Sequence, residues 1–235
     1  MRISIQQPES FPWLGYFDKM LQVDKIVFLD NVQFKKRYFE NRNKIRTRQG
    51  WTWLNIPVKT KGRYTQTIRE VEIDNSQQWQ RKIISSLEHS YKKTRYWNDF
   101  GIQLCKFISH PYHYLLDFNM VIIQICMQRL GIKREWCMAS SLQTKQAGSD
   151  LILEICQKMN ASDYLSGSFG RNYLKENDFH KNNINVHYQN FNHPVYEQIH
   201  GKFEPAMSIV DLYFNHGSES INILKNNVIN KMVKL

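Results

Sequence analysis

Arg2-Ile-Ser-Ile-Gln-Gln-Pro-Glu-Ser-Phe-Pro-Trp-Leu-Gly-Tyr-Phe-Asp-Lys-Met-Leu21 is the stretch whose reading decides the fold. Residues 2–5 alternate in the manner of a strand, and residues 14–21 read as a helix. A Pro/Gly turn joins them. A strand that ends in such a turn and opens a helix is where open α/β sheets place their ligands. The turn holds Phe11, Trp13, Tyr16 and Phe17, more aromatic surface than a connection needs, which marks it as the mouth of a site.

The flanking sequence extends this start into an α/β pattern. Residues 24–30 form a short apolar run bounded by charge, as in a buried strand. Residues 51–58 and 67–74 alternate like half-exposed strands, with residues 59–65 as the loop of a hairpin between them. Ser76 is placed to cap a helix whose apolar stripe is Trp79, Ile83, Leu87 and Tyr91. Residues 112–130 predict a buried helix stopped by Gly131, and a third helix runs from about Ser149 to Met159. Residues 163–174 predict a strand, a small-residue loop and a helix start. Residues 184–191 predict a late strand and residues 221–233 a closing helix. The expected fold is α/β: a Rossmann-like parallel sheet core, an antiparallel strand insert and a helical C-terminal half. The 235 residues fit one domain, with lobes at 1–75 (sheet and basic insert) and 76–235 (helices and late strands).

Composition narrows the class. Hydrophobic residues at 42% and charged residues at 23% lie near globular norms, which excludes gross disorder. No apolar run approaches the roughly 20 residues of a membrane span. Residues 1–7 are too short and polar for a signal peptide, so the expected location is cytoplasmic. Cys105, Cys126, Cys137 and Cys156 show no Cys-x-x-Cys spacing and read as buried thiols, not disulfides or zinc ligands. Net charge is +11, and residues 35–63 hold ten Lys/Arg against the single acid Glu40, a net +9 from that block alone. Such a block is either a solvated basic face or an attractor for a polyanion: nucleic acid, a nucleotide diphosphate or an acidic carrier protein.

Three constellations could carry chemistry. The first joins the opening turn to residues 30–34, both at the C-terminal ends of expected neighbouring strands. Gln7, Gln33, Asp30 and Asn31 offer amide and carboxylate groups to a polar ligand, and Trp13, Tyr16 and Phe34 offer flat faces to a base or sugar. In the second, residues 34–45, Arg37 and Arg42 present planar forks suited to a diphosphate. The third is the loop Tyr164-Leu-Ser-Gly-Ser-Phe-Gly-Arg-Asn-Tyr173. Its Ser166, Gly167 and Ser168 let backbone N–H groups approach a phosphate or carboxylate, with Arg171 and Tyr173 beside them. It matches neither a P-loop nor a dinucleotide fingerprint. For each group the structural alternative is a core aromatic, a satisfied turn or a plain loop. His110 and His113 are separated by a proline and lack a third ligand, so no metal site is expected. His193, directly after the late strand, is the preferred titrating group.

Taken in order, these residues resemble the WbqC-like family of bacterial surface-polysaccharide gene clusters. The matching pieces are Gln7-Pro8, Pro12-Trp-Leu-Gly-Tyr-Phe17, Asp30, Gln33-Phe34, Asn41-Arg42-Asn43 and Trp53-Leu-Asn-Ile-Pro57. They continue through Tyr164-Leu-Ser-Gly167, Tyr173-Leu174, Pro194, Tyr196 and Gln198 to Ser208-Ile-Val-Asp-Leu212 and Asn215-His-Gly217. Asn41, Tyr196 and Gln198 thereby join the substrate-binding candidates. Asp211 and Asn215, four apart, would share a helix face, where a capping or core-polar role is the plain alternative. A second likeness is to pantothenate synthetase of the nucleotidyltransferase superfamily, in the opening turn, in Val32-Gln-Phe34 and in residues 166–174. Where that superfamily has His-x-Gly-His, this chain has Trp13-Leu-Gly-Tyr16.

The WbqC-like resemblance implies O-antigen or capsule assembly and amide formation on a sugar amine. The expected activity is transfer of an acyl or aminoacyl group to a dTDP- or UDP-linked amino sugar, with no resident cofactor. The donor would be a carrier-protein thioester, coenzyme A or an aminoacyl-tRNA, met through the basic block 35–63. His193 or Asp30 would take the amine proton, and the backbone of residues 166–170 would face the oxyanion. Two rivals remain: an ATP-dependent amide ligase, and a binding protein for nucleic acid or a pathway partner. The sequence leaves the oligomeric state open.

Overall fold

The computed structural model describes residues 1–232, with side chains described through residue 226. The strands are β1 (Arg2–Gln6), β2 (Lys25–Phe28), β3 (Arg42–Thr47), β4 (Gly50–Asn55), β5 (Glu135–Met138), β6 (Asp163–Ser166) and β7 (Asn185–Tyr188). The helices are α1 (Leu14–Leu21), α2 (Trp79–Tyr91), α3 (Ile102–Ile108), α4 (Leu115–Arg129), α5 (Gly148–Lys158), α6 (Glu176–Lys181), α7 (Ile209–His216) and α8 (Ser220–Met232).

Five strands pair in parallel in the order β5-β2-β1-β6-β7, and β3 and β4 form a separate antiparallel pair. The sheet draws β1 and β2 from the first 75 residues and its other strands from the remainder. A parallel sheet is stable only with both faces covered. Ile3, Ile5, Val27 and Tyr164 pack against Leu151, Ile155 and Phe179 of α5 and α6. Strand alternation sends Ile26, Phe28 and Leu165 to the opposite face, into the larger core with α1 and α4. Ser4 and Gln6 of β1 follow that second direction and are buried there.

Local sequence explains the main helices. The expected helix 14–21 forms with those limits, and seven of its eight residues are buried, Asp18 and Lys19 included. Gly15 is required by its neighbour: a Cβ there would sit 2.4 Å from the Trp13 ring. The stripe Trp79, Ile83, Leu87 and Tyr91 becomes the buried face of α2. The expected buried helix 112–130 is α4, and Gly131 stops it at φ +65°. The closing helix α8 reaches Met232, so Val233 lies outside the described residues.

Two expectations about the strands are corrected. The partner of residues 51–55 is β3, not residues 67–74, and the hairpin turns at Arg48 and Gln49. The basic run hides a strand because Arg42, Lys44 and Arg46 of β3 share the face opposite Asn43 and Ile45, with Arg46 itself buried against carbonyls. Residues 67–74 instead form a short 3-10 turn, Ile68–Glu70, flanked by isolated bridges from Gln33 to Thr67 and from Val58 to Ile73. The edge strand β5 was not anticipated at all.

Candidate functional site

Taken alone, the sheet strands in chain order are first β1, second β2, third β5, fourth β6 and fifth β7, so their spatial order is 3-2-1-4-5. That is a doubly wound order, and its direction reverses between β1 and β6. Ligands of such sheets bind beyond the carboxyl ends of the strands at that reversal. Here the ends are Gln6, leading into the turn 7–13, and Ser166, leading into Gly167 and the 3-10 turn Ser168–Asn172. Gly170 allows this second turn to close, since a Cβ there would meet Ser166 Oγ at 2.0 Å.

A polar buckle fixes the first turn. Asn119 of α4, fully buried, donates from Nδ2 to the carbonyls of Pro8 (3.0 Å) and Glu40 (2.8 Å). Its Oδ1 accepts from Ser10 Oγ at 2.5 Å, and the Ser10 N–H donates to the Phe39 carbonyl at 3.0 Å. Tyr16 closes the turn from α1 by donating to the Gln7 carbonyl at 3.0 Å. These bonds bring Glu9 beside Glu40.

The resulting cluster is electrostatically unusual. Glu40 is 0% exposed, and neither carboxylate oxygen has a hydrogen-bond partner. Glu9 is partly exposed, yet its Oε2 is sealed from solvent and without a partner. Gln6, at the end of β1, is buried with both amide atoms unpartnered. Burial pushes Glu9 up to about 8, with Lys19 opposing and Glu40 reinforcing the shift. Burial also pushes Glu40 up to about 7, against its own backbone N–H and Lys35. Lys19 is brought down to about 8 by burial, with Glu9 pulling the other way. Burial therefore moves all three groups at the mouth of the sheet toward neutrality, with Glu9 acting on Lys19 and Glu40 on Glu9. A buried charge without donors costs several kcal/mol, so this arrangement favours neutral carboxyls or a bound cation.

The residues anticipated from sequence are distributed unevenly around this cluster. Gln7, Asp30, Ser166, Gly167 and Ser168 do stand at or just beyond the ends of adjacent strands, with Tyr16 above Gln7. Asp30 is 2% exposed, and its two oxygens accept from the N–H (2.9 Å) and Oγ (2.6 Å) of Ser140, so it caps the turn after β5. Trp13 meets Phe191 edge-on at 5.0 Å, and Gln33 donates to the Tyr64 carbonyl at 2.7 Å. Arg171 stacks over Tyr188 at 4.1 Å, and Tyr173 is 52% exposed on the loop after β6.

Others are committed elsewhere. Arg37 is exposed, and its carbonyl accepts from Arg42, whose guanidinium lies over Trp53 on the outer face of the hairpin. Asn41 is buried and donates to the Ile56 carbonyl at 2.9 Å. His193 Nδ1 donates to the Pro194 carbonyl (2.8 Å) and Nε2 accepts from the Ala206 N–H (3.0 Å), while burial holds its pKa below the usual range. Tyr196 and Gln198 are buried donors to Asp211, at 2.7 and 2.8 Å. Asn215 holds the Ile199 N–H and the Asp211 carbonyl.

Glu9, Lys19, Glu40 and Asn119 were not singled out from sequence. The available signal was a glutamate and a lysine embedded in the otherwise largely apolar stretch 8–20. Among the described residues no group of three or more His, Cys, Asp or Glu side chains is arranged to hold a metal ion, and no helix is long and apolar enough to cross a membrane. All four cysteines are free thiols, and burial raises each of them, which leaves them poor nucleophiles.

Sequence comparison with known proteins extends over almost the whole chain. The model of the WbqC-like protein family matches residues 7–223. The chain is similar to an uncharacterized protein, Rv1507c, of Mycobacterium tuberculosis, at 32% identity over 226 residues, which is 95% of this chain and 97% of that protein. No solved structure matches it significantly. The family model spans most of the chain, from the turn after β1 into α8, and this chain belongs to the WbqC-like protein family.

Proposed function

We propose that the protein transfers an acyl or aminoacyl group to the amine of a dTDP- or UDP-linked amino sugar in O-antigen or capsule assembly. The observation that carries this reading is the Glu9–Glu40–Lys19 cluster at the carboxyl end of β1, whose carboxyls titrate near neutral pH. An amino sugar arrives as an ammonium ion, and its attack requires the loss of one proton. Glu9, which reaches the surface, accepts that proton, and Glu40 behind it offsets the charge of the bound ammonium. The amine lone pair then forms a C–N bond to the acyl carbon. The tetrahedral intermediate expels the donor's thiol or ribose hydroxyl, which leaves with the second amine proton. The backbone of residues 166–170 faces the oxyanion. Exposed Phe169 and Tyr173 offer flat faces to the base. Asp30 and His193, whose polar atoms are engaged within the protein, act in this reading as positioning residues.

The test is thermal stability with dTDP-4-amino-4,6-dideoxyglucose against the same nucleotide bearing a neutral sugar. A ligand at about 100 times its Kd adds roughly 2.7 kcal/mol to the folded state. The expected result is a rise in Tm specific to the amino sugar in the wild type and absent in Glu9→Gln. Equal shifts for both nucleotides would remove the amine from the proposal. Release of AMP on incubation with ATP and a free acid would replace transfer by ligation.

A further inference from the structure

The hairpin β3–β4 carries a second surface, away from the sheet ends and independent of the chemistry proposed there. Its register sets Lys44 opposite Trp53 and Arg46 opposite Trp51, so cations and indoles share the outer face. The Arg42 guanidinium lies 4.3 Å from the Trp53 ring centroid, and Lys44 Nζ lies 4.9 Å from that of Trp51. The two indoles meet edge-to-face at 5.6 Å, and Trp51 remains 46% exposed. Arg46 is buried and binds the carbonyls of Thr47, Gly50 and Lys202, which fixes the turn that presents this face.

Beyond Trp51 the hairpin turn and the end of α2 wall a cleft of about 900 Å3. Arg48, Lys92 and Lys93 line it, with His89 and one acid, Glu88. All three cations are exposed, and none is in an ion pair among the described residues. Free cations around an exposed indole suit a ligand that alternates phosphates with flat rings. The size of the surface selects among such ligands. A six-residue strand spans about 17 Å, and the cleft continues past it. A mononucleotide covers only part of that length, whereas several linked nucleotides cover it all. A run of acidic side chains would supply charge but no ring for Trp51, whereas every nucleotide carries both.

We propose that the outer face of the β3–β4 hairpin and the adjoining cleft bind a single-stranded segment of nucleic acid, with a base on Trp51 and phosphates on Arg48, Lys92 and Lys93.

The experiment is fluorescence anisotropy of a labelled 12-nucleotide RNA against wild type, Trp51→Ala and the triple variant Arg48→Ala/Lys92→Ala/Lys93→Ala, across a salt series. The substituted side chains are exposed, and circular dichroism tests whether each variant is folded. Each phosphate neutralised on a single strand contributes about 0.7 to the slope of log affinity against log salt, so the triple variant should lose about 2 from it. Trp51→Ala should weaken RNA binding by about tenfold and leave inorganic polyphosphate binding unchanged. Lys92→Glu/Lys93→Glu serves as the second variant if the triple variant fails to fold, and it should weaken RNA binding further than either alanine change. Absence of binding at low salt, or an unchanged salt slope, overturns the proposal. So does polyphosphate or a polyglutamate peptide binding as tightly as RNA, which would leave a plain basic face or an acidic protein partner.

Discussion

Asp211 and Glu40, two of the carboxylates buried in this molecule, are held in opposite ways. Asp211 on α7 is 0% exposed and surrounded by donors: Tyr91 at 2.6 Å on Oδ1, with Tyr196 at 2.7 Å and Gln198 at 2.8 Å on Oδ2. The Tyr91 hydroxyl in turn accepts the Arg46 N–H at 3.0 Å, which ties β3, α2, α7 and the segment 196–198 together. Glu40 is equally buried, and no other residue donates to either of its oxygens; only its own backbone N–H and the charge of Lys35 favour the carboxylate. Burial raises both carboxyls, but at Asp211 three hydrogen bonds and Arg46 oppose it. A carboxylate supplied with donors is a structural joint. One denied them costs stability.

The contrast is broken most severely at the joint. Asp211→Ala should cost about 3–5 kcal/mol in urea unfolding, because two tyrosine hydroxyls and an amide lose their shared acceptor in the interior. A cost under 1 kcal/mol would mean that the network is slack. Glu40→Gln should act in the other direction, and its effect should depend on pH. The Glu40 pKa in the folded state, about 7, lies above its usual 4.5. The folded protein therefore binds more protons than the unfolded chain between those values, and stability falls as pH rises through them. Relative to wild type, Glu40→Gln should gain on the order of 3 kcal/mol between pH 4 and pH 8. Parallel stability curves for the two proteins would show that Glu40 is satisfied after all.

Asn119→Ala sharpens the comparison from outside both carboxylates. It removes the donor to two buried carbonyls and should cost about 2 kcal/mol. It should also loosen the approach of Glu9 to Glu40 and so flatten the fall in stability above pH 5. A loss of stability with the full pH dependence retained would separate the buckle from the electrostatics.

Legibility in the sequence follows the range of the interactions. The limits of α1, the stripe of α2 and the stop at Gly131 are local, set by periodicity and backbone freedom, and they read directly. The strand–turn–helix at the chain start was legible too, because it has few placements in an α/β sheet. The identity of its ionisable groups was not. Glu9 and Glu40 meet only through Ser10, Phe39 and Asn119, across separations of 29 and 109 residues. β3 was hidden by its own outward cations, which read as a charge run, and β5 by having four residues on a sheet edge. Histidine drew attention by its usual pKa, yet in this fold both His193 nitrogens are spent on backbone groups. Glu9 and Glu40, raised toward neutrality by burial, are the ionisable groups at the carboxyl end of β1 that local sequence did not mark.

The finest division between the two sites lies in their tyrosines. Tyr196 donates to a carboxylate, while Tyr16 donates to the Gln7 carbonyl, a neutral acceptor. Hydrogen bonds to charged groups contribute about 1.5–3 kcal/mol and neutral ones about 0.5–1.5. Tyr196→Phe should therefore cost about 2 kcal/mol, and Tyr16→Phe about 1. Both rings are buried, so the packing loss is similar and the difference reports the acceptor's charge. Burial raises the pKa of Tyr16, and the field of Glu9 adds to the rise. With ligand bound, an ammonium beside Glu9 would neutralise that field, and the smaller cost at Tyr16 should shift while that at Tyr196 stays fixed. Equal responses at the two tyrosines would mean that the turn after β1 is a second structural joint and not a place kept open for a cation.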